Sequence, residues 1–281
     1  MFILITRFSL FIPNSPAWLL SVNKDNEESI NEYKRQLFDT SRLRFRLDFL
    51  RNITLPIIFQ ASKKHPILQI LKYSVLLPDE FKKELLELGK EYPFLVLCEY
   101  DEEGKYPKAD LDIASDYFND LWAKDRDSIV GMTILDDDDC LSIDYFDRAT
   151  PYLNKNFAKK AISFGLGING VFDQENKLIK FSESYYPKVN IGLLRVGVYR
   201  HKTHKIVMPR MGSHGRADRT LPVLLDSREV SYFWSRHAYQ DTKLGTSYAA
   251  IFDRILSRED SPLEQIREKF GEPLVQLLER N

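Results

Sequence analysis

Four consecutive aspartates, Asp136 to Asp139, are the residues of this chain whose type and spacing most clearly suggest chemistry. Four adjacent carboxylates repel one another, so water, a helix N-terminus or a cation must compensate their charge. Carboxylate oxygens are hard ligands that suit Mg²⁺ or Mn²⁺. A calcium loop of the EF-hand type is not matched, because Leu141 stands where that loop requires glycine.

The apolar run before the aspartates, Ile129 to Leu135, predicts how they are positioned. It is continuous rather than alternating, which is typical of a strand buried on both faces of a parallel sheet. Ligands of open α/β sheets bind beyond the carboxyl ends of the strands. The pattern therefore favours a cation and an anionic ligand at this edge. The alternative is that the aspartates only cap a helix predicted to start at Ser142 and to end near Pro151.

Strands and helices alternate over the first half of the chain, which predicts an α/β layered fold. The hydrophobic pattern predicts strands at 2–11, 67–77, 93–98 and 129–135, and helices at 42–59, 79–91 and 111–122, with Pro56 ending or kinking the first helix. In the second half, the same pattern predicts shorter strands at 160–172, 178–181 and 191–199 and helices from 253 onward. Turn residues predict a hairpin turn at 173–176.

Composition narrows the class of protein. With 40 basic and 41 acidic residues among 281, the net charge is −1, so no overall charge points to nucleic acid. Two cysteines, Cys98 and Cys140, favour a reducing compartment over a disulfide framework. No signal peptide and no membrane span is apparent. We therefore expect a soluble cytoplasmic protein, with peripheral contact at the inner face of the membrane left open.

Several short pieces, in order over residues 1–150, resemble the rhamnosyltransferase family of bacterial polysaccharide biosynthesis. These pieces are Arg7-Phe8-Ser9, Trp18, Leu37-Phe38-Asp39 leading into Arg42-Leu43 and Arg46, Leu55 to Gln60, Leu77-Pro78 and Leu135 to Leu141. A looser match surrounds His237. The resemblance implies a glycosyltransferase of GT-A-like (Rossmann-like) fold, with a mixed, mostly parallel central sheet flanked by helices. It also implies a D-x-D motif that holds a divalent cation on the diphosphate of a nucleotide sugar.

The resemblance also implies roles for individual residues. Asp136 would meet the ribose or donor sugar, Asp138 and His237 would bind Mn²⁺ or Mg²⁺, and Asp139 would orient the site, with Asp137 beside them on the donor. Arg7 and Ser9 lie at the carboxyl half of the first predicted strand, where a nucleotide can sit, although Arg7 could equally form a surface ion pair. Trp18 could cover a base or sugar, or belong to the core.

The acceptor hydroxyl must lose a proton, so a carboxylate base is expected. The candidates are Asp218, favoured because it stands between arginines, and Glu183 and Glu229. The basic stretch from Arg195 to Arg219 could bind diphosphate or an anionic acceptor, or be a solvated hairpin face. Zinc at His201, His204 and His214 is a weaker alternative. The glycines 165, 167 and 170 match a dinucleotide motif only by letter, since its strand–turn–helix context is missing.

We therefore predict a metal-dependent glycosyltransferase that moves a sugar from a nucleoside-diphosphate donor to a surface polysaccharide or glycolipid. Residues 1–250 would form the catalytic domain, with a donor half (1–140) and an acceptor half (141–250), and 251–281 a helical extension docked by its apolar stripe. One alternative is a metal-dependent nucleotidyltransferase or phosphotransferase, although Thr6-Arg7-Phe8-Ser9 lacks the glycines of a triphosphate loop. The other alternative is a non-catalytic binding protein.

Overall fold

Strands and helices alternate from the N-terminus to the aspartates, as the sequence predicts. The computed structural model describes residues 1–15, 19–119, 126–173, 175–237 and 252–279. The elements of the first half are β1 (Phe2–Phe8), α1 (Glu27–Leu37), α2 (Thr40–Phe49), α3 (Leu55–Ser62), β2 (Ile67–Ser74), α4 (Asp79–Glu91), β3 (Leu95–Tyr100), α5 (Asp110–Asn119) and β4 (Ser128–Ile134).

The second half consists mainly of short strands. Its elements are β5 (Cys140–Leu141), α6 (Tyr145–Ala149), β6 (Ala161–Ser163), β7 (Leu166–Phe172), β8 (Leu178–Tyr185), β9 (Leu194–Arg200), β10 (Lys205–Val207), β11 (Val223–Leu225), β12 (Tyr232–Arg236), α7 (Leu263–Phe270) and α8 (Glu272–Glu279).

The main sheet is mixed and mostly parallel, which confirms the predicted fold class. Within the described residues its order is β11-β6-β9-β4-β1-β2-β3, with β10 paired to β9. Strand β1 runs parallel to β2 and β4, and β2 runs parallel to β3. Strand β9 is antiparallel to its three partners, β4, β6 and β10. The carboxyl ends of β1 and β4 therefore meet at one edge, where a ligand site is expected.

A second sheet is attached directly after the aspartates, in the order β5-β12-β7-β8. Its strand β12 is antiparallel to β5 and parallel to β7. Two glycines of β7 leave room for aromatic rings: a Cβ on Gly167 would lie 2.3 Å from Tyr232, and one on Gly170 would lie 2.0 Å from Phe233. These glycines serve sheet packing, which agrees with discounting the dinucleotide motif.

The helix predicted at 42–59 is divided. Helix α2 ends at Phe49, a π-helical turn covers Leu50–Thr54, and α3 follows with Pro56 in its first turn. Proline lacks an N–H and its ring clashes with the carbonyl four residues earlier, so the wider turn accommodates it. Strand β1 stops at Phe8 rather than at Phe11, because Ser9 has a left-handed backbone (φ 45°) that a strand cannot include.

The region after the aspartates differs from the sequence prediction. Cys140 and Leu141 form a strand, and α6 begins only at Tyr145, with Asp144 at its N-cap position. The strand forms because Leu141 and Cys140 pair with Tyr232 and Phe233 of β12. The interpretation that Asp136 to Asp139 only cap a helix is therefore wrong.

The predicted strand at 160–172 is likewise two strands, β6 and β7, in two different sheets.

One hydrophobic cluster joins the C-terminal helices to the rest of the chain. Ile266, Phe270 and Leu274 are buried in one cluster with Phe49 of α2 and Phe233 of β12. Gly271 (φ 84°) separates α7 from α8. The docking of the apolar stripe is thus confirmed, except that Leu263 is 38% exposed. The domain boundaries at 140 and 250 stay predictions.

No helix in the described part of the chain is both long enough and apolar enough to cross a membrane.

Candidate active site

The four aspartates form a turn at the carboxyl end of β4, closed by the Asp139 N–H donating to the Asp136 carbonyl (3.3 Å). Asp137, Asp138 and Asp139 are buried, and only Asp136 is partly open to solvent. Buried carboxylates are costly unless hydrogen bonds or opposite charges compensate them.

Arg46 faces two of them. It extends from α2, is itself buried, and donates from Nη1 to Asp137 Oδ1, while its Nη2 lies 2.9 Å from Asp138 Oδ2. One turn earlier, buried Arg42 donates to Ser9 Oγ (2.7 Å) and to the Leu37 carbonyl (2.9 Å). Helix α2 thus directs two guanidinium groups toward the edge where β1 and β4 end.

His237 faces Asp138 from the other side. Its ring directly follows β12, is fully buried, and places Nε2 2.8 Å from Asp138 Oδ2, with the Phe45 ring centroid 4.5 Å from its own. Burial lowers the pKa of His237 against the pull of Asp138. Burial opposes ionisation of Asp138, but Arg46 and His237 hold its pKa below the usual range. The pair is therefore an ionised carboxylate beside a neutral imidazole, and the predicted proximity of these two residues is confirmed.

Asp139 anchors the turn to neighbouring elements. Its Oδ1 accepts the Ser235 N–H of β12 (2.9 Å), and its carbonyl accepts the Thr54 hydroxyl (2.9 Å). Burial, together with the charges of Asp138 and Asp136, raises the pKa of Asp139 well above its usual range. Its carboxyl group is thus suited to hold β12 in place, in agreement with the orienting role that the resemblance implies.

Arg7 and Asp136 form the rim of the site. Arg7 Nη2 donates to Asp136 Oδ1 at 2.8 Å, and the two side chains are 23% and 37% exposed. The arginine does make an ion pair, as one interpretation predicts, but its partner belongs to the aspartate cluster. Ser9, buried and left-handed, receives the Arg42 hydrogen bond at the end of the same strand.

A cleft opens between this rim and α1. Its polar lining consists of Arg7, Ser9, Arg46, Asp136 and Asp137, and its apolar wall of Leu10, Leu20, Tyr33 and Leu37. Four of the five predicted donor-side residues, all but Asp139, line this cleft. Charged groups beside an apolar lining suit a ligand that carries an anion next to an apolar part.

Asp218, the predicted base, lies on the surface. Its carboxylate is 54% exposed and accepts a hydrogen bond from Lys188 Nζ (2.5 Å), which lowers its pKa. Glu183 is exposed on β8, and Glu229 lies 3.0 Å from Lys269 Nζ. The identity of the base stays a prediction. Trp18 lies outside the described residues.

The three histidines considered for zinc do not converge. His201 Nδ1 lies 2.9 Å from Asp127, His204 Nδ1 lies 3.1 Å from the Tyr199 hydroxyl, and His214 Nδ1 lies 2.8 Å from the Lys188 carbonyl. Among the residues that the structure describes, no three His, Cys, Asp or Glu side chains are grouped to hold a metal. The zinc alternative is therefore not supported.

The sequence did contain a signal for the two buried arginines whose roles were not predicted. Arg42 and Arg46 are four residues apart and lie next to Leu43 and Leu47, so they share the buried face of α2. Charged residues repeated on an apolar face, four apart, must meet partners inside the fold. The partners of this pair, Ser9 and the aspartates, were not identifiable from spacing alone.

A divalent cation can be tested against the same geometry. Asp138 Oδ2 and His237 Nε2 are hydrogen-bonded at 2.8 Å, so the proton between them would have to leave before both atoms could bind a cation. Magnesium usually takes only one or two protein carboxylates and completes its shell with phosphate oxygens and water. Arg46 already stabilises the same Asp138 oxygen and would share it. The residues fit a cation held by Asp138 and His237 and completed by an anionic ligand.

Comparison with known proteins supplies the family. Residues 1–246 match the model of the family described as "Putative rhamnosyl transferase", which confirms the resemblance found in the sequence. No curated protein sequence matches the chain.

Among solved structures, Staphylococcus aureus TarS 1-349 aligns over 83% of this chain at 7% identity (TM-score 0.36). Full TarS aligns over 99% at 8% identity (TM-score 0.32). The chain spans 60% and 43% of the lengths of these two. A structure described as a "putative nucleotide-diphospho-sugar transferase" from Desulfovibrio desulfuricans G20 aligns over 99% of this chain at 13% identity (TM-score 0.29). The alignment covers 97% of that structure's chain.

Proposed function

The chain belongs to the rhamnosyl transferase family and is therefore a glycosyltransferase, and we propose that it transfers rhamnose from a nucleoside-diphosphate donor with the help of a divalent cation. The observation that carries the proposal is the convergence of Asp138, His237 and Arg46 at the carboxyl end of β4. The acceptor we propose is a hydroxyl of a surface polysaccharide or a glycolipid, reached at the cytoplasmic side of the membrane.

The donor nucleoside would lie at the cleft beside α1. Leu20 is the partly exposed apolar side chain there, since Leu10, Tyr33 and Leu37 are buried, and Asp136 at the rim is suited to accept a hydrogen bond from a ribose hydroxyl. Arg7 lies 2.8 Å from that carboxylate and would orient it. The exposure of this pair leaves both side chains accessible to a ligand.

The diphosphate would then lie over the buried carboxylates. Asp138 and His237 would hold the cation, which when bound neutralises the charge that develops on the leaving diphosphate. Arg46 contributes a fixed positive charge beside them, and its two carboxylate contacts keep it in place without any rearrangement during the reaction. Asp139 holds β12, and with it His237, against the site.

The reaction forms a bond between the acceptor oxygen and the anomeric carbon and breaks the bond from that carbon to the diphosphate. The proton of the acceptor hydroxyl must pass to a base. We propose Asp218 for this role because it lies in the acceptor half. The Lys188 contact lowers its pKa, so it is ionised at neutral pH but is a weak base.

Thermal shift with nucleotide sugars tests the proposal. One nucleoside-diphosphate rhamnose should raise the Tm more in Mn²⁺ than in EDTA, since ligand stabilisation follows RT ln(1 + [L]/Kd). Asp138→Asn should remove the difference between Mn²⁺ and EDTA, whereas Asp218→Asn should keep it. Equal stabilisation in EDTA would refute the cation. The absence of stabilisation by any nucleoside diphosphate would refute donor binding and favour the non-catalytic alternative.

A further inference from the structure

A group of three side chains, Tyr186, Trp234 and Arg236, lies on the β12 side of the aspartates and has no part in the donor cleft. We propose that this group, which we call the aromatic platform, binds a pyranose ring of the acceptor glycan next to the site of transfer. The inference rests on the proposed function and adds to it the position and chemistry of the acceptor subsite.

The platform is held in a defined geometry. The Tyr186 and Trp234 rings meet edge to face, with centroids 5.9 Å apart and planes at 83°. The Arg236 guanidinium carbon lies 3.3 Å from the Trp234 ring centroid, and Arg236 Nε donates to Asn169 Oδ1 (3.1 Å). Side chains held in this way lose little conformational entropy when a ligand binds.

Strand β12 places the platform beside the reacting groups. Ser235, between Trp234 and Arg236, donates its N–H to Asp139 Oδ1 at 2.9 Å. His237 follows, only ~10 Å along the strand from Trp234 at the rise of an extended chain.

Trp234 also packs against the large hydrophobic cluster whose members include Leu135, the residue before Asp136, and Ile191. Ile191 in turn forms an isolated parallel bridge with Ile134. Tyr186 begins the segment that leads to Ile191. The donor cleft is lined instead by residues of β1, α1 and α2 together with Asp136 and Asp137.

The chemistry of the platform fits a sugar. A pyranose presents an apolar face of C–H bonds and a rim of hydroxyl groups. Tyr and Trp offer flat apolar surfaces with a polar group at one end, and an Arg side chain can donate to the hydroxyl rim. Tyr186 is 51% exposed, while Trp234 and Arg236 are partly exposed, so a ligand can reach the rings.

Saturation-transfer difference NMR on the full chain tests the inference, with methyl α-rhamnopyranoside and methyl α-glucopyranoside as glycoside probes and a nucleoside diphosphate as donor-site probe. In the wild type we expect transfer to the C–H face of at least one glycoside and also to the nucleotide. Trp234→Leu, which keeps apolar volume without the ring, should weaken glycoside binding about 3- to 10-fold and leave the nucleotide signal unchanged.

Tyr186→Ala should weaken the glycoside signal as well. Because Tyr186 is exposed, this variant should fold even if Trp234→Leu does not. The matched control is Tyr185→Ala, because Tyr185 is also exposed but is not in ring contact with Trp234. Unchanged glycoside signals in folded Trp234→Leu and Tyr186→Ala would overturn the platform, as would the absence of glycoside signals in a wild type that binds nucleotide. If the wild type gives no nucleotide signal, the result instead overturns the proposed donor site.

Discussion

Asp138 is the residue on which the proposed chemistry depends most directly, because one of its oxygens faces both Arg46 (2.9 Å) and His237 (2.8 Å). An oxygen in this position can be stabilised by Arg46 alone or by a cation together with Arg46. In both cases the carboxylate must be ionised, and its lowered pKa meets that requirement. Substitutions at this position and at Arg46 separate the two possibilities.

We expect Asp138→Asn to lower the rate of transfer by at least ~100-fold, because charge stabilisation of the leaving group is lost. The amide keeps the volume of the side chain, so the fold should survive with a lower Tm. Steady-state kinetics at saturating Mn²⁺, with circular dichroism as the folding control, measure both. Turnover near that of the wild type would disprove the assignment.

Arg46→Met should destabilise the protein by about 3–5 kcal/mol, because Asp137 and Asp138 lose their buried partner. If a cation binds Asp138, Mn²⁺ should raise the Tm of this variant more than that of the wild type. Arg44→Met is the matched control, since Arg44 lies on the same helix but pairs with Glu84 in a more exposed position and should cost at most about 1 kcal/mol. Equal effects of Mn²⁺ on the wild type and on Arg46→Met would argue that the cation binds elsewhere.

At the scale of elements, the connection between α7 and α8 depends on one glycine. Gly271 has φ 84° and ψ 169°, a region that residues with a Cβ rarely occupy. This turn allows Phe270 before it and Leu274 after it to enter the same hydrophobic cluster. The backbone conformation therefore sets the packing of both helices.

Gly271→Ala should lower the free energy of unfolding by about 1–3 kcal/mol because of this strain. Gly212→Ala is the control, since no positive φ is found there and no atom lies within 4 Å of the added Cβ. Urea unfolding of both variants measures the difference. Equal stabilities would show that the turn can relax without cost.

Asp226 connects β11 to the segment after α6 and should make stability depend on pH. Arg228 donates to its Oδ1 (2.8 Å) and Tyr152 to its Oδ2 (2.7 Å), and these contacts, Arg228 first, lower its pKa to about 2. Since the folded pKa lies below the unfolded value of about 3.9, the stabilisation is fully present above about pH 4 and is lost as the pH falls toward 2.

Asp226→Asn should therefore be less stable than the wild type by about 1 kcal/mol at neutral pH, after allowance for the exposure of Arg228. The difference should shrink below about pH 4. Urea unfolding of both proteins from about pH 7 to about pH 3 measures this difference in the free energy of unfolding. A difference that stays constant over this range would assign the effect to packing instead of ionisation.

At the scale of the whole molecule, the C-terminal helices complete a core that they share with α2 and β12. Phe270 is 1% exposed, and its ring lies 6.0 Å from that of Phe233, while the backbone of Lys269 accepts the Ile143 N–H (2.8 Å). Lys269 Nζ also lies 3.0 Å from both Asp144 and Glu229. These contacts tie the helices to the segment that follows the aspartates.

Phe270→Ala should cost about 3–5 kcal/mol, which is a fall in Tm of roughly 6–20 °C for a chain of this size. Leu263→Ala, at the exposed end of the same stripe, should change the Tm little. Truncation after Asp260 should lower the Tm further. A truncated protein that melts unchanged but no longer pellets with anionic vesicles that retain the full chain would contradict docking and support a membrane role for the stripe.

Local patterns in the sequence determined the alternation of strands and helices in the first half, including α4 at its observed bounds. They also placed the aspartates at the carboxyl end of a buried strand, because burial on both faces produces a continuous apolar run whatever the partners are. The family pieces identified the side chains of the site, and His237 with them. The break in the C-terminal segment was likewise encoded locally, by glycine and proline.

Tertiary structure alone decided how the charges meet. Arg46 and Asp137 are 91 residues apart, His237 and Asp138 are 99 apart, and only the packing of α2 and β12 against β4 brings them together. The strand at Cys140 exists because β12 pairs with it, although its neighbours in sequence favour a helix. Propensity acts over a few residues, whereas pairing and charge compensation depend on which distant elements share the core.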